Sequence, residues 1–247
     1  MSASFFPRLH RFVAARLSPE GETGLHLTVG VVLIVCAAWL FGGIAEEVVN
    51  NESLTVLDVK IAQWFHAHAT GAMTQAMLFI TNVHGMAGGS ILALMLAAWF
   101  YRSRQHYWLI TTLIALPGGM LLNVLLKYVF HRSRPSFDEP LLTLSTYSFP
   151  SGHTANAALL YGLLACWLWM HHRGALARAA IVSFACFMIA LVGTSRMYLG
   201  VHYLTDVMAA TAEACAWLAV CITAISTLRR RRHARGGRTV PSSTRGD

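Results

Sequence analysis

Apolar residues in this chain come in long blocks, not in the short alternation of strands or the single stripe of a soluble helix. Residues 25–45, 87–101 with an upstream extension, 107–126, 154–170 and 179–195 carry no Asp, Glu, Lys or Arg, and 207–228 carries only Glu213. A helix that crosses a bilayer needs about 20 predominantly apolar residues. The pattern therefore predicts an all-α fold, a six-helix transmembrane bundle. Between the first two blocks the period changes: Leu54, Leu57, Ile61, Trp64 and Phe65 recur at helical spacing within 50–82, which predicts an amphipathic helix lying along the interface on the outer side. His84, Gly85, Gly88 and Gly89 then break the pattern, and the second span is expected after that break. Pro117, Gly118 and Gly119 inside the third span predict a packed kink. Asn123 stands one turn before Lys127, where it either supports the lysine or bonds a neighbouring helix.

Composition agrees with a bilayer setting. Hydrophobic residues make up 55% of the 247 and charged residues 12%, about half the charged share of a soluble chain. The net charge of +8 would point to nucleic acid only if the cations were grouped for it. With a cytoplasmic N-terminus and alternating spans, Arg8, Arg11, Arg16, Arg102, Arg104, Arg173, Arg178, Arg229 to Arg232, Arg235, Arg238 and Arg245 lie inside. Of the 19 Lys and Arg, only Lys60, Lys127, Arg132, Arg134 and Arg196 lie outside. That asymmetry follows the positive-inside rule. The Arg229 to Arg232 run reads as an anchor to anionic lipid headgroups, with no nucleic acid and no obligate protein partner implied.

The chain divides into a basic cytoplasmic N-terminus (1–24), a transmembrane domain (25–228) and a basic cytoplasmic tail (229–247). The tail is predicted to be disordered, its irregular part starting at His233. The first apolar block lacks a small-residue cleavage site and is read as an uncleaved span. Cys36, Cys166, Cys186, Cys215 and Cys221 all fall in apolar blocks and read as small buried hydrophobes that say little about redox compartment.

Three polar clusters interrupt these blocks, and the topology puts all three at the outer surface: Lys127 with Arg134 and Pro135, then Pro150, Ser151, Gly152 and His153, then Ser195 and Arg196 with His202 and Asp206. Lys127, Arg134 and Arg196 supply point-charge and forked donors to phosphoryl oxygens. Ser151 and Gly152 open the fourth span, and a helix N-terminus is a ready anion site. His202 and Asp206 are four residues apart, on one face if helical, so the carboxylate can orient the ring and leave its other nitrogen to attack. His153 is the second imidazole, suited to protonate a departing oxygen. With three cations to neutralise phosphoryl charge, no metal or other cofactor is implied.

These residues and their order, Lys127 to Arg134-Pro135, Pro150 to His153, and Ser195-Arg196 to His202 and Asp206, resemble the type 2 phosphatidic acid phosphatase (PAP2) superfamily over 127–206. Residues 198–203 also read like the family, while Leu204 stands where many relatives have proline. The resemblance implies a six-helix membrane bundle, a metal-independent phosphohistidine mechanism and an outward-facing site. By it, His202 is the nucleophile, Asp206 its partner and His153 the acid, with Lys127, Arg134, Ser151, Gly152 and Arg196 on the phosphate.

The expected substrate is a lipid phosphomonoester or diphosphate met at the outer leaflet of a bacterial cytoplasmic membrane. Undecaprenyl diphosphate comes first, then phosphatidylglycerophosphate, phosphatidic acid or a lipid A phosphate. A non-hydrolytic lipid-phosphate binder or transporter is the alternative, disfavoured because binding needs no nucleophile. A serine protease using Ser151 lacks the Gly-x-Ser-x-Gly elbow, and the soluble vanadium haloperoxidases that share the oxyanion pocket are polar in bulk. His131 and Arg132 are expected to meet lipid headgroups. The loop 136–149 is expected to cap the site, with Asp138 and Glu139 disfavouring a second anion. Glu213, two turns beyond Asp206, is left between a role at the site and a bond to another helix.

Overall fold

The computed structural model describes residues 25–236, and among them every regular element is an α-helix. In chain order they are α1 (Leu25–Asn50), α2 (Ser53–Ala67), α3 (Gly71–Val83), α4 (Met86–Arg102), α5 (His106–Phe130), α6 (Gly152–His171), α7 (Ala175–Tyr198) and α8 (Leu204–Gly236). Each apolar block of the sequence falls in one of these helices. Four of them, α1, α5, α7 and α8, are long and apolar enough to cross a membrane; α3 and α4, bent by 50° at their junction, make a fifth if taken as one broken span. The count by length and apolarity is thus four or five, where six was expected. The helix left out is α6, which trades bulk apolarity for Thr154, Asn156 and a run of alanines because it lies inside the bundle, packed against α4, α5, α7 and α8.

The main core sits around α6: Leu159 and Leu163 meet Phe100, Trp108, Leu116 and Leu218. Outward, α1, α5 and α7 present Trp39, Leu113 and Phe187 to the surroundings, as a lipid-facing surface requires, since tails are as apolar as leucine. Small residues let the helices close up. A Cβ on Gly118 would stand 2.6 Å from the Trp217 ring and one on Gly119 2.5 Å from Leu159, while Trp217 Nε1 donates to the Ala115 carbonyl at 3.0 Å. The Pro117 segment is therefore packed against α6 and α8, as its composition suggested.

Three expectations are corrected. The segment 50–82 holds two helices where one was expected, the first of which buries Asp58 and Ala62. Of the cysteines only Cys221 is buried; Cys36, Cys186 and Cys215 are on the outside of the bundle and Cys166 is half-buried. Finally, α8 continues through Arg229 to Arg232 as far as Gly236, so 233–236 is helix where the irregular tail was expected to start. The N-terminal segment 1–24 and the rest of the tail lie outside the described residues.

Candidate functional site

Three segments distant in sequence converge at one end of the bundle: the C-terminal turn of α5 with the strand-free stretch 131–151, the start of α6, and the α7–α8 junction. They enclose a cavity of about 300 Å³ whose wall includes Lys127, Arg134, Gly152, His153, Arg196 and His202. Ser151 and Asp206 are fully buried behind that wall. Six of the eight expected site residues therefore line the cavity, and Asp206 reaches it through His202.

The His202–Asp206 pair has the anticipated geometry, with His202 Nδ1 3.2 Å from Asp206 Oδ2. On its other side, Arg134 Nη1 lies 3.2 Å from His202 Nε2. A guanidinium only donates, so Nε2 carries a lone pair and Nδ1 the proton, which it gives to Asp206. Burial pushes the imidazole down to about 3, against the hydrogen bond and charge of Asp206, and Arg134 and Lys127 push the same way as burial. The ring is neutral at pH 7, with its available lone pair turned toward the cations. Tyr203 N–H also donates to Asp206 Oδ2 at 2.8 Å, and the Ser148 hydroxyl makes a short bond to the same oxygen.

The cations differ in how they are held. Arg134 is pinned by the carbonyls of Thr146 at 2.7 Å, Val201 at 2.5 Å and Tyr147 at 3.0 Å, and burial lowers its pKa against the charge of Asp206. Lys127 Nζ donates to the carbonyls of Tyr147 at 2.9 Å, Ser148 at 3.3 Å and Pro150 at 2.6 Å. It thus ties down the loop that carries Ser148 and leads into α6, as well as adding charge to the cavity. Arg196 is 1% exposed; its Nη1 donates to Thr81 Oγ1 and its Nε has no partner. Gly152 and His153 open α6, where first-turn amides have no acceptor within the helix. Ser151 Oγ accepts from Thr154 Oγ1 at 3.0 Å, so its hydroxyl is engaged with the helix start.

Several residues at the site were misread or missed. Arg132, expected at headgroups, is turned inward: it donates to Asp206 Oδ1 at 2.6 Å, Thr205 Oγ1 at 2.7 Å and Asp58 Oδ2 at 2.7 Å. The two carboxylates together raise its pKa in spite of burial. The neighbouring His131 is exposed and packs edge-on to Tyr147, ring centroids 4.4 Å apart. Asn123 bonds the neighbouring helix, giving its amide to Glu213 Oε2 at 2.9 Å. His84 also lines the cavity, held between the Ile80 carbonyl at 2.9 Å and Tyr161 OH at 2.8 Å. Only the break at His84 and Gly85 signalled that residue in the sequence. Among the described residues no group of three His, Cys, Asp or Glu is arranged to hold a metal ion.

A sequence model of the PAP2 superfamily matches residues 106–230. Phosphatidylglycerophosphatase B of Bacillus subtilis (strain 168) is 46% identical over 76 residues, covering 30% of this chain and 37% of that relative's length. In structure, the chain is similar to the transmembrane PAP2-type phosphatidylglycerolphosphate phosphatase of Bacillus subtilis, with 26% identity, 80% of this chain and 96% of that chain covered, and a TM-score of 0.68. LpxE of Aquifex aeolicus shares the fold at 19% identity and a TM-score of 0.52, covering 66% of this chain and 94% of that one.

Proposed function

Because this chain belongs to the PAP2 superfamily, we propose that it is an integral membrane lipid phosphatase working through a phosphohistidine. The observation that carries this reading is the orientation of His202: Nδ1 on Asp206, Nε2 toward Arg134 at the wall of the cationic cavity. In the first step Nε2 attacks phosphorus and the bond from phosphorus to the lipid oxygen breaks. His153 gives its proton to that oxygen, while Asp206 stabilises the positive charge that builds on the ring. In the second step His153 takes a proton from water, whose oxygen attacks phosphorus and releases inorganic phosphate and neutral His202. Lys127, Arg134, Arg196 and the first-turn amides at Gly152 offset the charge on the equatorial oxygens through both steps. No step runs through a metal ion.

A cavity at a bundle end suits a lipid whose tails stay in the bilayer and whose phosphate reaches the cations. Undecaprenyl diphosphate and phosphatidylglycerophosphate head the substrate list, and the names of the Bacillus relatives favour the second. Phosphatidic acid and a lipid A phosphate follow. We place the site on the periplasmic side of a bacterial cytoplasmic membrane, with both termini cytoplasmic and α6 as a further membrane-embedded helix. The test is phosphate release from a panel of these four lipids by purified protein with chelator present. Activity on at least one lipid and none for His202→Ala is the expected result. A His202→Ala protein that still turns over overturns the assignment of nucleophile, and strict metal dependence overturns the mechanism.

A further inference from the structure

Asp58 is a carboxylate at 1% exposure on α2, a helix whose neighbouring Leu57 and Val59 are exposed. A carboxylate taken out of solvent is costly unless it is paired and hydrogen-bonded. Both Asp58 oxygens are engaged: Oδ1 accepts from Thr205 N–H at 3.0 Å, and Oδ2 accepts from Arg132 Nη2 at 2.7 Å and from the Thr205 hydroxyl. Arg132, 13% exposed, spans from there to Asp206 Oδ1, and its guanidinium carbon sits 4.4 Å over the Tyr203 ring.

We propose that Asp58 and Arg132 are positioning residues for the reaction, holding the Asp206 carboxylate from the surface helix α2 and, through it, the ring of His202. This rests on His202 being the nucleophile. Asp206 Oδ2 is the oxygen that meets the imidazole, and it is shared with Ser148 and Tyr203 N–H; Oδ1 meets Arg132. A carboxylate held by one oxygen can still rotate about its last bond, whereas Arg132 Nη1 on the other oxygen, with Nη2 fixed on Asp58, sets its plane. The fork is in turn fixed by Asp58, Thr205 and Tyr203. Charges alternate along the line Asp206, Arg132, Asp58. Without the Asp58 charge the guanidinium falls wholly on Asp206 and weakens its hold on the imidazole N–H. Buried ion pairs add little stability over apolar packing, so orientation of the dyad is the gain that accounts for this one.

The test compares full-length Asp58→Asn, Arg132→Lys and Thr205→Val in detergent, with lipid phosphate release and inhibition by inorganic phosphate as readouts. Asn removes the charge, Lys removes the fork, and Val removes one hydroxyl at constant volume. Displacing a reacting group by an ångström costs up to about a hundredfold. In the first two variants kcat is expected to fall between about tenfold and a hundredfold. KM and the phosphate inhibition constant stay within about twofold, because Lys127, Arg134 and Arg196 are untouched. The combined Asp58→Asn/Arg132→Lys variant is expected to be no worse than the poorer single, since both act along one line. Thr205→Val shows the same split in smaller measure and is readable even where a charge variant does not accumulate. Folded variants with kcat unchanged, or with only KM raised, overturn the proposal. His202→Ala, run alongside, separates the two ideas: inert His202→Ala with normal Asp58→Asn sinks only the positioning role, whereas active His202→Ala sinks the nucleophile reading.

Discussion

The neutral form of His202 is what a nucleophile at pH 7 needs, and it leaves a mark on stability. The folded protein puts no second proton on this ring until about pH 3, whereas an unfolded histidine takes its second near 6.5. The contribution is fully present above about pH 6.5 and is lost as pH falls from there toward 3, because the unfolded chain then binds the extra proton. The thermal midpoint in detergent is therefore expected to drop between pH 7.5 and 4.5 more steeply for the wild type than for His202→Asn. Parallel curves would mean the ring is not held neutral. Two residues earlier, Gly200 has φ of +69°, and a Cβ there would stand 2.9 Å from the Phe137 ring. Left-handed backbone costs an L-residue about 1–2 kcal/mol, so Gly200→Ala should lose at least that much stability and lower kcat by shifting the His202 turn. The His202–Asp206 pair was legible because four-residue spacing is local chemistry. Arg132 and Ser148 were not, because their partners lie more than fifty positions away and nothing in their neighbours marks them as turned inward.

At the scale of elements, the apolar blocks located the helices because a lipid-facing surface leaves an unbroken signature. What they could not locate is the inward face of α2: its stripe of Leu57 and Trp64 marked the side expected at the interface, and the partner for the buried Asp58 is an arginine on a distant loop. The bend between α3 and α4 was legible as the break at His84 and Gly85, and its cause is close approach. A Cβ on Gly88 would collide with the Val83 carbonyl oxygen and lie 2.7 Å from that of Asn82. Backbone cannot move aside as a side chain end can, so Gly88→Ala has to open the bend. Overpacking of this kind costs about 1–3 kcal/mol. The bend carries His84 into the cavity wall, and a Cβ on Gly85 would lie 3.5 Å from His153 Nε2. Gly88→Ala should therefore reduce turnover along with thermal stability, measured on the same preparation. Loss of stability with unchanged kcat would show that the bend does not shape the site.

For the whole molecule, the two ends of the bundle differ in a way that bears on orientation. The end opposite the cavity carries Trp99, Trp108 and Trp167 in contact around Phe100, with Arg229 stacked 4.9 Å over Tyr107 and Arg178 4.8 Å over Trp169. Aromatic residues with arginines just beyond are the pattern of a membrane boundary, and by the positive-inside rule the arginine-rich end is the one expected to face the cytoplasm. At the cavity end, by contrast, Lys127, Arg134 and Arg132 are spent on carbonyls and carboxylates inside the protein, so they do not weigh as loop charges there. Discounting them makes the arginine asymmetry sharper than the sequence count alone. In a cysteine-free background, Asp138→Cys on the exposed loop before α6 should therefore react with a membrane-impermeant maleimide applied to spheroplasts. Arg173→Cys, in the exposed turn between α6 and α7, should react only after lysis. The opposite labelling would put the cavity on the cytoplasmic leaflet and, with it, a different pool of lipid phosphates within reach of His202.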